Sequence, residues 1–161
     1  MSDSLTTVIR SLLLDRSTAA LATLHDRRPA ASLIPFAVHA GPTGLRLVTH
    51  VSGLAAHTRE MRSCPVVCLL VTAAEAPDTM PQSLARVSIP ARAEFIGEDQ
   101  SDHAALKAAY LVKFPDAAPL FQLGDFALVG FVPQTARLVA GFARAVTLPP
   151  EALAAAVAEN A

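Results

Sequence analysis

From Ser17 to Leu148 the chain alternates short apolar runs with clusters of turn-forming residues, and this rhythm limits its fold more than any other feature. "AALATLH" ends at the polar "DRRP", "ASLIPFAVH" ends at "AGPTG", and "LRLVTH" follows with partial alternation, so three strands in a meander are expected. "VVCLLVTA" (66–73) reads as a strand buried on both faces, and "AEAPDTMPQS" as a loop. "LARVSIPARAEFIG" alternates, with Pro90 marking a bulge or an edge. "DFALVGFVP" and "ARLVAGFARAVTL" read as a hairpin around "PQT".

Four segments carry the helical period instead. Residues 3–15 place Leu5, Val8, Ile9, Leu12 and Leu13 on one face, with Asp3 or Ser4 as cap. In "VSGLAAHTREMRSCP" Ser52 is the expected N-cap, and Pro65 stops the pattern. Residues 101–113 align Leu106 with Tyr110 before "FPDAAP" breaks the run. "PPEALAAAVAEN" opens on prolines, with Glu151 in its first turn. The order is helix, three strands, helix, two strands, helix, two strands, helix. It predicts an α+β fold that is mainly antiparallel β, and about six to eight such strands in a small domain usually close into a barrel. A length of 161 residues predicts one domain, 1–161, with its core over 15–148.

Charge excludes some partners. Thirteen basic against fourteen acidic residues leave a net charge of −1, without the basic face of a nucleic-acid module. No run of ~18 apolar residues offers a membrane span. The N-terminus, with Asp3 before its apolar part and Asp15–Arg16 after it, does not read as a signal peptide, so a cytoplasmic location is expected. Cys64 and Cys68 form neither a redox pair nor a zinc pattern and are expected as buried reduced thiols. No histidine pair has metal-binding helical spacing, and no nucleophile-elbow, P-loop or dinucleotide motif occurs; no metal site is expected.

The start of the second helix holds the strongest polar signal. A helix N-terminus carries unsatisfied N–H groups and partial positive charge, so it favours phosphate. Ser52 and Thr58 would donate neutral hydrogen bonds there, and a protonated His57 a charge-assisted one. A surface helix with a solvated histidine is the plainer reading of the same residues. His50 ends the strand leading into this corner. Arg86 and Arg144 lie on or beside strands and face either an anion or water.

Taken in order, "LATLHDRRPAASLIPFAV", "GLRLVTHVSGLAAHTREM", "CPVVCLLV", "ARVSIPARAEFI", "YLVKFPDAAP", "GDFALVGFVP" and "ARLVAGFARAVTL" resemble the flavin-binding split-barrel superfamily typified by pyridoxamine 5′-phosphate oxidase, and within it the haem-utilisation branch. The resemblance implies a split β-barrel with peripheral helices, FMN as cofactor, and a homodimer with the flavin between protomers. Small-molecule oxidoreductase chemistry is implied, with no side-chain nucleophile. It implies that Thr49, Ser52, His57 and Thr58 hold the phosphate, with Val48 and His50 also among the cofactor-binding residues. Ser32, Leu33, Ile34 and Pro35 would offer strand backbone to the isoalloxazine, and Arg86 and Arg144 would complete the anion site or touch substrate. Departures from the oxidase are visible. Ala55, Ala56 and His57 stand where it has Ser-Arg-Lys, and Ser32 where it has a phosphate-binding Arg, implying a less positive pocket. Glu60 and Phe114 replace the branch's Asn and His. Haem binding or breakdown, and a cofactor-free dimeric binding module, are the two alternatives.

Overall fold

The computed structural model describes residues 3–77, 79–142 and 144–158, apart from the side chain of Asp3, so the expected Asp3 cap lies outside it. The chain runs α1 (Asp3–Arg10), β1 (Thr18–His25), β2 (Arg28–Pro35), β3 (Ala37–Gly41), β4 (Gly44–Ser52), α2 (Ala56–Ser63), β5 (Val66–Thr72), β6 (Arg86–Ile96), α3 (His103–Lys113), β7 (Phe126–Pro133), β8 (Ala136–Val139), β9 (Ala145–Leu148) and α4 (Pro150–Ala158). A π-turn over Ser11–Asp15 continues α1, and a 3-10 segment, Pro115–Gln122, follows α3.

All nine strands belong to one antiparallel sheet, ordered β2-β1-β5-β6-β7-β4-β3 with β8 and β9 branching from β6. The two ends of that path, β2 and β3, are consecutive in sequence and joined only by Phe36. The sheet must therefore curl until its ends meet, yet they share no ladder: this is a split barrel, not the closed one that strand count alone suggests. The expected three-strand meander is four strands, because "ASLIPFAVH" breaks at Phe36, whose N–H donates to the Ser17 carbonyl.

Other expectations also change. "VVCLLVTA" alternates between buried and partly exposed residues, so only one face of β5 meets the core. "DFALVGFVP" and "ARLVAGF…" form no hairpin. β7 pairs with β6 from Ala91↔Pro133 to Ile96↔Leu128, and β8 continues along the same edge from Ser88↔Arg137 to Arg86↔Val139. Gln134–Thr135 is thus a bulge opposite Pro90, where proline has no N–H to give a ladder; the Gln134 N–H donates to the Pro90 carbonyl instead. The hairpin proper is β8–β9. Cys64 and Cys68 are half-buried free thiols rather than buried ones, and burial pushes the Cys68 thiol up from its ordinary pKa.

The inside of the curl is filled by Leu21, Ile34, Leu47, Leu69, Ile89 and Phe131, closed by Leu12 and Leu13 after α1 and by Leu153 of α4. A second cluster sits outside, where Leu106 and Tyr110 of α3 cover Val48, Ile96 and Leu128. Beside it Arg46 of β4 reaches across β7 to Glu94 of β6 (2.6 Å), with Asp102 at 3.8 Å. Gly130 permits that crossing, since a Cβ there would stand 3.3 Å from the guanidinium. Among the described residues no helix is long and apolar enough to cross a membrane.

Candidate functional site

The corner between β4 and α2 does not have the cap the sequence suggests. α2 begins at Ala56, with Ala55 as a cap that has no side-chain bond, while Ser52 still belongs to β4. The Ser52 hydroxyl donates to Asp125 Oδ2 (3.1 Å) and accepts from the Leu54 N–H (3.2 Å). Thr58, fully buried, donates its hydroxyl proton to the Ser52 carbonyl (2.7 Å). His57 is half-buried, and burial lowers its pKa despite the opposing pull of Glu60, so it is neutral near pH 7. Arg59 turns its guanidinium to the Leu54 carbonyl (2.7 Å). A carboxylate faces Ser52, and the one cation at the helix start among the described residues, Arg59, is spent on the Leu54 carbonyl. Asp125 carried no sequence signal, because it is brought in by β7 pairing, Ser52 lying opposite Phe126.

Glu60 points away from the corner. Its side chain is 8% exposed, accepts from Thr23 Oγ1 (2.5 Å) and lies 3.7 Å from His25 Nδ1, pinning α2 to the end of β1. The hydrogen bond from the buried Thr23 hydroxyl satisfies a carboxylate oxygen that burial would otherwise strand.

The β4 residues divide by strand parity. Thr49 points inward and is fully buried, with its hydroxyl lacking any partner. Val48 is buried under α3. His50 points outward, stacked on Phe121 (3.7 Å between centroids, 2° between planes) and edge-on to Tyr110 at 6.2 Å. The structure therefore does not bring Val48, Thr49 and His50 together at the helix start.

Burial, and secondarily the charge of Lys107, lower the His50 pKa from its ordinary 6.5 to about 4. Between those values the unfolded chain holds the extra proton, so stability is complete above pH 6.5 and is lost as pH falls towards 4, by roughly 3 kcal/mol at most. A His50→Leu variant should show a flatter decline of urea-unfolding free energy across that window than the parent. Parallel curves would show that this imidazole does not drive the acid response.

On β2, Ile34 is buried in the core, Ser32 and Pro35 are half-buried, and Leu33 stands 72% exposed. β2 ends the sheet path, so the edge not paired with β1 offers main-chain N–H and C=O groups. Leu33 lies opposite Ala20. On the same outer face are Leu24 (39% exposed) and, two residues beyond the Ala22↔Cys68 pair, Val66 (53% exposed). Arg92 pairs with Val66 at its rim. The sequence signal for this face was present as the alternation Pro29, Ala31, Leu33, Pro35, but its partner strand was not.

Arg86 and Arg144 lie elsewhere. Arg86 opens β6 and bonds the Leu84 carbonyl (3.0 Å), while Arg144, after the β8–β9 turn, reaches Ser4 Oγ (3.3 Å). β6 runs eleven residues from Arg86 to Ile96 near α2, about 33 Å at strand rise. The Arg144 carbonyl accepts from the Ala140 N–H, next to Val139, the partner of Arg86, so within one protomer neither arginine joins the corner.

A curled antiparallel sheet whose ends meet without pairing, sealed by terminal helices, with a polar corner at the second helix, defines the split-barrel class. The chain matches the model of the pyridoxamine 5′-phosphate oxidase family over residues 5–140, and it belongs to that family. It is 31% identical over 121 residues to "Non-canonical heme oxygenase HOZ, chloroplastic" of Arabidopsis thaliana, covering 75% of this chain and 35% of that protein. Among solved structures it is similar to a heme binding protein from Mycobacterium smegmatis (TM-score 0.82, 26% identity, 96% of this chain and 61% of that one). The heme storage protein HutZ of Vibrio cholerae shares the fold (TM-score 0.68, 24% identity, 81% and 89%). The chain thus spans about a third of the curated relative and under two thirds of the mycobacterial protein.

Proposed function

We propose that this chain binds haem between two copies of itself, as the step preceding the macrocycle's oxidative breakdown. The observation that carries the reading is the exposed apolar face of Leu24, Leu33 and Val66. Haem needs an axial ligand and an apolar slot; this face supplies the slot, and none of Leu24, Leu33, Val66 and Arg92 is an iron ligand. Arg92, beside Val66, supplies a cation for a propionate. The names of the relatives from Arabidopsis and Mycobacterium support the same ligand. Bound haem would supply the redox chemistry, and this chain's residues would bind it, orient it and keep water from its faces.

FMN, the cofactor expected from the family resemblance, fits the α2 corner poorly. A phosphate dianion there would meet the Asp125 carboxylate, a spent Thr58 proton and a neutral His57. The free edge of β2 is what still favours a flavin. The purified chain, mixed with equimolar haemin and FMN and then gel-filtered, is expected to keep a shifted Soret band in a dimer-sized peak and to lose the flavin absorbance. Added ascorbate in air should then bleach the Soret band. A yellow protein without a Soret band would overturn the proposal in favour of a flavoprotein, and a colourless one in favour of a cofactor-free module.

A further inference from the structure

A second cleft opens where the ends of β4 and β7, the last turn of α2 and the 3-10 segment Pro115–Gln122 meet. Its volume is about 580 Å³. Phe95, Phe121 and Phe126 form its walls, and the His50 ring lies between two of them, 3.7 Å from Phe121 and 5.1 Å from Phe126. His50 is 8% exposed, and its buried Nδ1 has no hydrogen-bond partner. Leaving such a group desolvated costs free energy that a ligand would recover. Arg62 holds its guanidinium 4.1 Å above the Phe95 ring, and among the described residues it makes no ion pair. Aromatic walls, an orphaned imidazole and an unpaired planar cation thus share one space.

We propose that this cleft is a second small-molecule site, taking a flat aromatic monocarboxylate. The ring would stack among the phenylalanines, where offset aromatic pairs gain beyond their buried area. The carboxylate would meet the fork of Arg62, which suits a planar anion better than a point charge does. Glu98, exposed at the rim, is the one carboxylate lining the cleft; it disfavours a dianion and so selects against phosphates. The site is independent of the haem reading, because the face around Leu33 lies on β1, β2 and β5 with Arg92 of β6 at its rim, and neither Arg92 nor any residue of β1, β2 or β5 lines this cleft.

The chain has one tyrosine and no tryptophan, and that tyrosine, Tyr110, packs 6.2 Å from the His50 ring, so its fluorescence reports on the cleft. Titrating the full chain with salicylate, which absorbs where tyrosine emits, should give saturable quenching. The amide resonances of Gly97 and Gly124, both lining the cleft, should shift with the same midpoint. Arg62→Gln, at an exposed position, should weaken binding at least tenfold, and neutral salicylamide should bind at least tenfold more weakly than salicylate. Linear collisional quenching, unmoved glycine resonances or an Arg62→Gln variant of unchanged affinity would each overturn the proposal. So would displacement of salicylate by diamagnetic gallium protoporphyrin IX, which would merge this cleft with the porphyrin site. Retention of both ligands together supports it.

Discussion

Truncating Phe36 to alanine is expected to lower the unfolding free energy by ~3–5 kcal/mol, seen as a fall in the urea midpoint with little change in slope. Phe36 is fully buried and is the only covalent tie between the two end strands of the sheet. Its ring lies 4.5 Å from Lys113 Nζ, and that ammonium also donates to the Arg16 carbonyl. One side chain therefore fastens the seam of the barrel, the exit of α1 and the last turn of α3. Burial holds the Lys113 pKa below its ordinary value, against the pull of Asp15. Leu33→Ala, three residues earlier but 72% exposed, should cost under ~0.5 kcal/mol in the monomer. Equal losses at the two positions would show that the seam does not depend on Phe36.

That contrast shows where the sequence was readable. Strand existence followed from period-two alternation and turn residues, and both signals are local: Asp26 and Arg27, at φ 47° and 65°, make the two-residue turn that "DRRP" suggested. Phe36 looked like one more apolar residue in a run, because the reason to break there is a sheet curling back on itself. The bulge opposite Pro90 was half-legible. The proline announced an irregularity, but only the register shows that β7 and β8 share one edge of β6. The cap of α2 was misread for a similar reason. Ser52 has the right chemistry for a cap, yet ladder pairing with Phe126 holds it in β4 and sets Asp125 against it. His50 carried only a positional hint, since the aromatic residues around it come from α3, the 3-10 segment and β7, distant in sequence.

If two copies enclose haem as proposed, Leu33→Glu is expected to leave the chain monomeric and to weaken haemin uptake by more than about a hundredfold, while Ser52→Ala and His57→Ala each change it by less than about threefold. The asymmetry follows from where each side chain stands. Leu33 projects from the end strand on the same outer face as Leu24 and Val66, which lie four residues along the register on β1 and β5. In an isolated protomer water still reaches a glutamate there, so the fold and its urea midpoint should persist. Once a second copy or a porphyrin covers the strand, the carboxylate must be desolvated without a partner or protonated, at ~3 kcal/mol or more. Ser52 and His57, by contrast, already spend their polar atoms within the corner or stay neutral, and removing them takes nothing from an apolar slot. Analytical ultracentrifugation and Soret titration separate the two effects. A variant that stays dimeric and binds haemin normally would place the porphyrin off this face, whereas a strong loss in Ser52→Ala would return the cofactor to the helix start.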